Sequence, residues 1–423
     1  MPDDHLDRLI DFLAASPTQY HAVARIVEDL AAGGHRELDP AQPWDADELP
    51  QAGLVRRDGA VIAWRQPERW TPQTGLRILA AHTDSPALKL KPGAAFSRAG
   101  FRLAEVEVYG GPILHTWFDR DLAIAGRLID RSGGTHLVRS QPLLRVPQLA
   151  IHLDNTVNTK LEIDNQRDLN PIVGLGDAYA GGELEAHIAA LAGLPADEVA
   201  AHDLVLVPGE APALLGLDHE FLASYRLDNL LSAHSCLAGH LSAAQSQHVQ
   251  VYVAFDHEEI GSHTPTGASG PLLVHTLRRL SLAQGFNEDA HLAWLARGLA
   301  LSADVAHGVH PNRADRHDPV IQPRLNGGPV LKWSAPMRYT TEAPGWAAWR
   351  RACEAAGLTD QVFVNNNTVR GGSSLGPLLA TRLGISSVDA GIAVLGMHSA
   401  RELCGAADPA AFAQVSAAFA ALD

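Results

Sequence analysis

The chain has 423 residues, with 33 Lys and Arg against 48 Asp and Glu, and so a formal charge of −15 with its histidines neutral. That acidity argues against non-specific binding to nucleic acid or anionic membranes. A hydrophobic content of 46% excludes a disordered chain, and no run approaches the roughly 20 apolar residues of a membrane span.

The length favours two domains over one core. Cys236, Cys353 and Cys404 stand far apart with no CxxC pair, which fits a reducing compartment and neither a disulfide framework nor a thiolate zinc site. The opening MPDDHLDRLIDFLAASP has early acids and no basic region, unlike a secretory signal. Leu6, Leu9, Ile10 and Leu13 share a helical face that ends at Ser16-Pro17, and Ala22, Val23, Ile26, Val27 and Leu30 form a second face closed by Gly33-Gly34. Leu76 to Ala81 is an apolar run of buried-strand length, interrupted at Pro86. From about residue 90 the texture becomes that of an antiparallel β module. Val106 and Val108 alternate with Glu105 and Glu107, and strand-like pieces follow at Leu122–Ile124 and Leu149–Ile151. After Pro208 the pattern changes again, with a helix over Leu227–Leu241 and apolar strands at Val249–Phe255, Leu299–Ser302, Val362–Val364 and Ile385–Val388. Strands alternating with helices imply a covered α/β sheet, built from both ends of the chain with the β module inserted between them.

Polar residues gather at the predicted strand ends and at one helix start: His82-Thr83-Asp84, Asp228, Asp256-His257-Glu258-Glu259, Asp304 and His398. Open α/β sheets place ligands at such ends. Each alone is as readily a hydrogen-bonded structural group. Together they make an inventory suited to a pair of zinc-like ions, which takes terminal imidazoles, a bridging carboxylate and further carboxylates. A carboxylate bridge lets two dications sit roughly 3.5–4 Å apart. A neighbouring glutamate that is not a ligand can serve as base, and an acid two residues beyond His82 can receive the second imidazole N–H.

The words AAHTDSPALKLKP, YGGPILHTWFDRDL, IHLDN, SYRLDNL, DHEEIGS, SADVAHGVHPN, GGPVLK and GMHSARE occur in order over most of the chain. In these the sequence resembles the aspartyl aminopeptidase family of dinuclear zinc metallopeptidases. The resemblance implies a mixed-sheet α/β catalytic domain over 1–89 and 222–423, with an inserted β-rich domain for oligomerisation over 90–221. It implies two divalent metals, Zn first with Mn or Co as alternatives. One would be held by His82, Asp228 and Asp304, the other by Asp228, Glu259 and His398. Glu258 would be the general base and Asp84 the orienter of His82. For the substrate it implies that Lys332 faces an acidic side chain, that Tyr339 adds a hydrogen bond, and that His152 reaches a neighbouring subunit's site. His115 and Trp117 would support the β module, and His307 and His310 would stand near the metals or in an ordinary loop.

The implied protein is a cytoplasmic homododecamer that hydrolyses the N-terminal bond of peptides beginning with Asp or Glu, with no nucleic-acid or membrane partner. A broader aminopeptidase, an N-acyl amino acid deacylase and a non-catalytic assembly protein are the alternatives. The chain departs from the family where Thr368, Arg370 and Gly371 replace the usual Asp, Pro and Cys before Gly372-Ser373-Ser374, near the implied substrate pocket.

Overall fold

The structure is a computed structural model that describes residues 2–177 and 182–423. The chain divides into two compact units, one of Met1–Asp84, Pro212–Met397 and Glu402–Asp423, the other of Ser85–Ala211 with His398–Arg401. The divisions after Asp84 and Ala211 fall about five and ten residues before the sequence-based limits of 89 and 221.

In the larger unit a nine-stranded sheet runs in the order Arg36–Glu37, Ala52–Arg57, Ala60–Arg65, Val249–Phe255, Leu76–His82, Gly298–Ala303, Ser386–Gly391, Val330–Lys332 and Gln361–Phe363. Val249–Phe255, Leu76–His82, Gly298–Ala303 and Ser386–Gly391 are mutually parallel. The first two are buried along their whole length, which explains their continuous apolar sequence. Alternate side chains serve opposite faces. Leu79, Tyr252 and Ala254 pack with Leu230, Trp349, Phe412 and Phe419 on one side. Ile78, Ala80, Val251 and Val253 meet Leu277, Trp294 and Leu379 on the other. With this register the parallel strands end together, Phe255 opposite His82 and Ser302 opposite Ala80. A second sheet of five short strands, Ala213–Leu215, Phe221–Ser224, Glu402–Gly405, Ala393–Leu395 and Ala306–His307, completes this unit.

The smaller unit holds a six-stranded antiparallel sheet in the order Thr135–Arg139, Leu122–Asp130, Val199–Pro208, Ala87–Arg98, Phe101–Tyr109 and Ile172–Leu175. One expected strand is absent. Leu149–Ile151 lies in a turn in which the Leu153 and Asp154 amides both donate to the Ala150 carbonyl, and Asp154 accepts from the Thr156 amide and hydroxyl. Local side-chain bonding of this kind competes with strand pairing. Leu149, Ile151 and Leu153 are left 52%, 43% and 75% exposed.

No helix among the described residues is long and apolar enough to cross a membrane.

Candidate active site

The strand ends of the larger unit carry the expected residues. His82 closes Leu76–His82, and the Thr83 amide continues its ladder by donating to the Phe255 carbonyl. Asp256 to Glu259 follow Val249–Phe255, and Asp304 follows Gly298–Ala303. Asp228 sits at the start of the helix Leu227–Ser242, where Arg226 takes a left-handed conformation and the Asp228–Asn229 peptide is cis. The Asn229 side chain donates to the Ala303 carbonyl at 2.8 Å, tying this helix start to the strand end before Asp304. Buried Glu402 accepts from the Asp228 amide at 3.0 Å.

One ligand atom from each of His82, Asp228 and Glu259 falls within 4.8 Å of the others. His82 Nε2 stands 3.4 Å from Asp228 Oδ1 and 3.7 Å from Asp304 Oδ1. An imidazole nitrogen and converging carboxylates are the donor set a zinc ion takes, so these residues fit such a metal. The charge pattern agrees with that fit. Burial opposes a proton on His82, yet hydrogen bonding to Asp228, Asp304 and Asp84 outweighs it and raises the imidazole well above its ordinary range. The pocket stabilises positive charge, and an imidazole that ligates a metal is the neutral form.

Asp84 does more than its sequence position suggested. Its main-chain carbonyl is the nearer acceptor for His82 Nδ1 at 3.1 Å, with Oδ1 at 3.4 Å. Its carboxylate also accepts the backbone N–H groups of both Glu258 and Glu259, at 3.0 and 3.1 Å. One buried acid thus positions the imidazole and both glutamates. Glu258–Ile260 forms a 3-10 turn entered through left-handed His257, so the two glutamates are carried by a tight turn and not by a strand. Burial pushes the Glu258 carboxyl up to about 8; His82 opposes this, while Asp304, Asp84 and Asp228 add to it.

Lys332 is 2% exposed, and its ammonium donates to Asp304 Oδ2 at 3.0 Å and to the Val305 carbonyl at 3.2 Å. Burial alone would raise Asp304, but Lys332 and then His82 hold it below the usual carboxylate range. The buried Tyr339 ring lies 5.0 Å from the same ammonium. His307 packs edge-on against Phe363, His310 accepts from the Asn312 amide in an exposed loop, and Arg370 is exposed. His398 belongs to the smaller unit. There its Nδ1 donates to the Gly111 carbonyl at 2.9 Å, so that in the neutral imidazole Nε2 is the lone-pair nitrogen, the form a metal ligand needs. His152 is exposed, and Trp117 is buried in the smaller unit in the short turn Leu114–Trp117, with His115 exposed beside it.

Two positions escaped the sequence reading. Asp389 is fully buried and accepts from the Thr340 amide at 2.6 Å, the Thr340 hydroxyl at 2.9 Å and the Ser374 hydroxyl at 2.5 Å. It pins the loop after Arg370 to the segment carrying Tyr339. Gly391 closes the neighbouring strand, and a Cβ there would lie 1.8 Å from the Asp304 carbonyl oxygen, so only glycine admits the backbone beside this acid. Neither carries a local motif; an acid two residues before a glycine in one short strand, Ser386–Gly391, was the available hint.

Residues 12–420 match the family model described as aminopeptidase I zinc metalloprotease, M18. The chain is 47% identical over 421 residues to a probable M18 family aminopeptidase 2 of Streptomyces coelicolor, covering 98% of this chain and 97% of that one. A chain in the cryo-EM structure of the Ape4 and Nbr1 complex superposes with a TM-score of 0.94 at 32% identity, over 99% of this chain and 85% of that one. The mApe1 dodecamer of S. cerevisiae gives 0.86 at 27% identity, over 99% and 96%. Fold and site together define a metallo-aminopeptidase. The chain belongs to the peptidase M18 family of zinc metalloproteases.

Proposed function

We propose that this M18 enzyme releases N-terminal Asp and Glu from peptides, using two divalent ions. His82, Asp228 and Asp304 would hold one, and Asp228, Glu259 and His398 the other. The observation that carries this reading is the meeting of His82, Asp228 and Glu259 ligand atoms within 4.8 Å. When bound, zinc supplies Lewis acidity and lowers the pKa of water. Glu258 takes the proton from the attacking water and returns it to the departing amine, a role suited to a carboxylate that is not itself a metal ligand. Asp84 keeps Glu258 aimed while that proton moves, through the amide it accepts. Carboxylates crowding the site also suit the substrate's α-ammonium group, which confines attack to the first peptide bond.

Preference for an acidic first residue rests on Lys332. Two of its three N–H groups serve Asp304 and Val305, and the third is the donor for a substrate carboxylate, with Tyr339 beside it. The pairing of Lys332 with Asp304 also favours a second reading, a broader aminopeptidase whose pocket cation is already spent. Self-association into a dodecamer is supported by the mApe1 assembly and by exposed Leu149, Ile151 and Leu153, which flank His152 and suit burial against a second copy.

A panel of aminoacyl chromogenic substrates with zinc, manganese or cobalt, repeated after chelation, tests the reading. Metal-dependent turnover with Asp and Glu ahead of neutral residues is expected. Faster release of Ala or Leu selects the broader enzyme, and turnover indifferent to chelation removes the metal from the mechanism.

A further inference from the structure

We propose that Lys332 decides which oxygen of Asp304 a metal can use, so that this acid binds through one oxygen only. The inference rests on the metal site proposed above and concerns a task of Lys332 separate from substrate recognition. Asp304 presents its two oxygens to different partners. Oδ2 receives the Lys332 ammonium at 3.0 Å, while Oδ1 lies 3.7 Å from His82 Nε2, on the side of the metal group.

The ammonium is itself anchored. It donates to the Val305 carbonyl, one residue beyond Asp304, and so closes a ring with the backbone that carries the acid. It leaves the strand Val330–Lys332, which pairs with Ser386–Gly391, Lys332 opposite Asp389. At the end of that partner strand Gly391 packs on the Asp304 carbonyl. Swinging Oδ2 toward a metal would strip a buried ammonium of a hydrogen-bonded carboxylate, a heavily penalised change. A carboxylate with both oxygens accessible can chelate an ion bidentately. Held at Oδ2, Asp304 offers Oδ1 alone. Catalytic zinc sites differ from structural ones in keeping a position open, and the Lys332 clamp is a device for keeping it open.

The visible spectrum of the cobalt-substituted full-length protein reads this directly, because Co(II) bands lose intensity and shift as the coordination number rises. The K332M variant is expected to bind cobalt with a weakened, shifted spectrum, and K332Q, which keeps a donor toward Oδ2, is expected to stay near the wild type. A wild-type spectrum from K332M overturns the proposal, as does a K332Q spectrum altered as much as that of K332M. Should K332M fail to fold, K332A takes its place. Its altered spectrum should return to the wild-type form on addition of n-propylammonium, and a wild-type spectrum without the amine is then the contradicting result. Wild-type protein that takes up no cobalt would bring down the metal site itself, and an unchanged Asp-to-Ala KM ratio in K332M would bring down only the recognition role.

Discussion

The two units depart from the usual burial pattern in different ways, although the larger also exposes Leu217 and Val320 at 99% and 85%. In the larger one, Asp84, Asp228, Asp256, Asp389 and Lys332 are buried, although charged side chains seldom are unless paired. In the smaller one, Leu149, Ile151, Leu153 and Leu175 face solvent. The first group is held by hydrogen bonds to neighbouring backbone and side-chain groups, Asp84 to the Glu258 and Glu259 amides, Asp389 to Thr340 and Ser374 and Lys332 to Asp304, and its excess of carboxylates calls for cations. The second is a displaced piece of would-be core, which calls for another protein surface. Local rules fail where function is placed, and the kind of failure separates chemistry from assembly.

The sharpest way to break this contrast is at Glu258. Glu258→Gln should cut kcat by about 10³-fold or more, at the upper range of what a positioned proton carrier contributes, while metal content measured by mass spectrometry stays at the wild-type level. Normal turnover would remove Glu258 from the reaction. Next in size is Asp84→Ala, which takes the acceptor from both glutamate amides and a carboxylate from His82. Zinc affinity, read by chelator competition, should fall by about 10–100-fold, as with other groups that orient ligands; an unchanged affinity would mean that the main-chain carbonyl of residue 84 suffices.

For the exposed apolar segment, Leu153→Asp should weaken self-association by about tenfold or more, seen as lower mass in light scattering, with the monomer's thermal stability unchanged. Loss of stability with no change in mass would place Leu153 in folding.

The smallest effect concerns the larger unit's buried histidines. Burial pushes His234 down to about 3 and His5, whose ring lies tilted against it with centroids 4.9 Å apart, down to about 4. Unfolded, both titrate near 6.5. Between about pH 6.5 and 4 the unfolded chain binds protons that the native chain refuses. Stability is therefore full above 6.5 and falls as the pH drops through that window. His234→Leu should gain a few degrees of Tm on the wild type at pH 5 relative to pH 7.5; parallel Tm curves would contradict the assignment.

Much of the site was legible in the sequence because parallel strands are continuous apolar runs that stop abruptly, as at Ala81 and Phe255, and the residues just beyond are where an open sheet binds. What stayed hidden needed the third dimension. The strands of the five-stranded sheet are two to four residues long, too short for a period to show. Leu149 to Ile151 is an apolar, strand-like piece, but the Asp154 turn overrides it. Asp84's grip on Glu258 and Glu259 spans more than 170 positions, and the importance of Gly391 depends on a backbone from another strand.

The proposed pair of ions depends first on Asp228, which would lie between them beside His82 and Glu259. Anomalous diffraction at the zinc edge tests it most directly. Two peaks per chain are expected, flanking the Asp228 carboxylate, with both strongly reduced in Asp228→Ala. A metal-loaded crystal with no peak near His82 and Glu259, or an Asp228→Ala crystal that keeps both, would contradict the account.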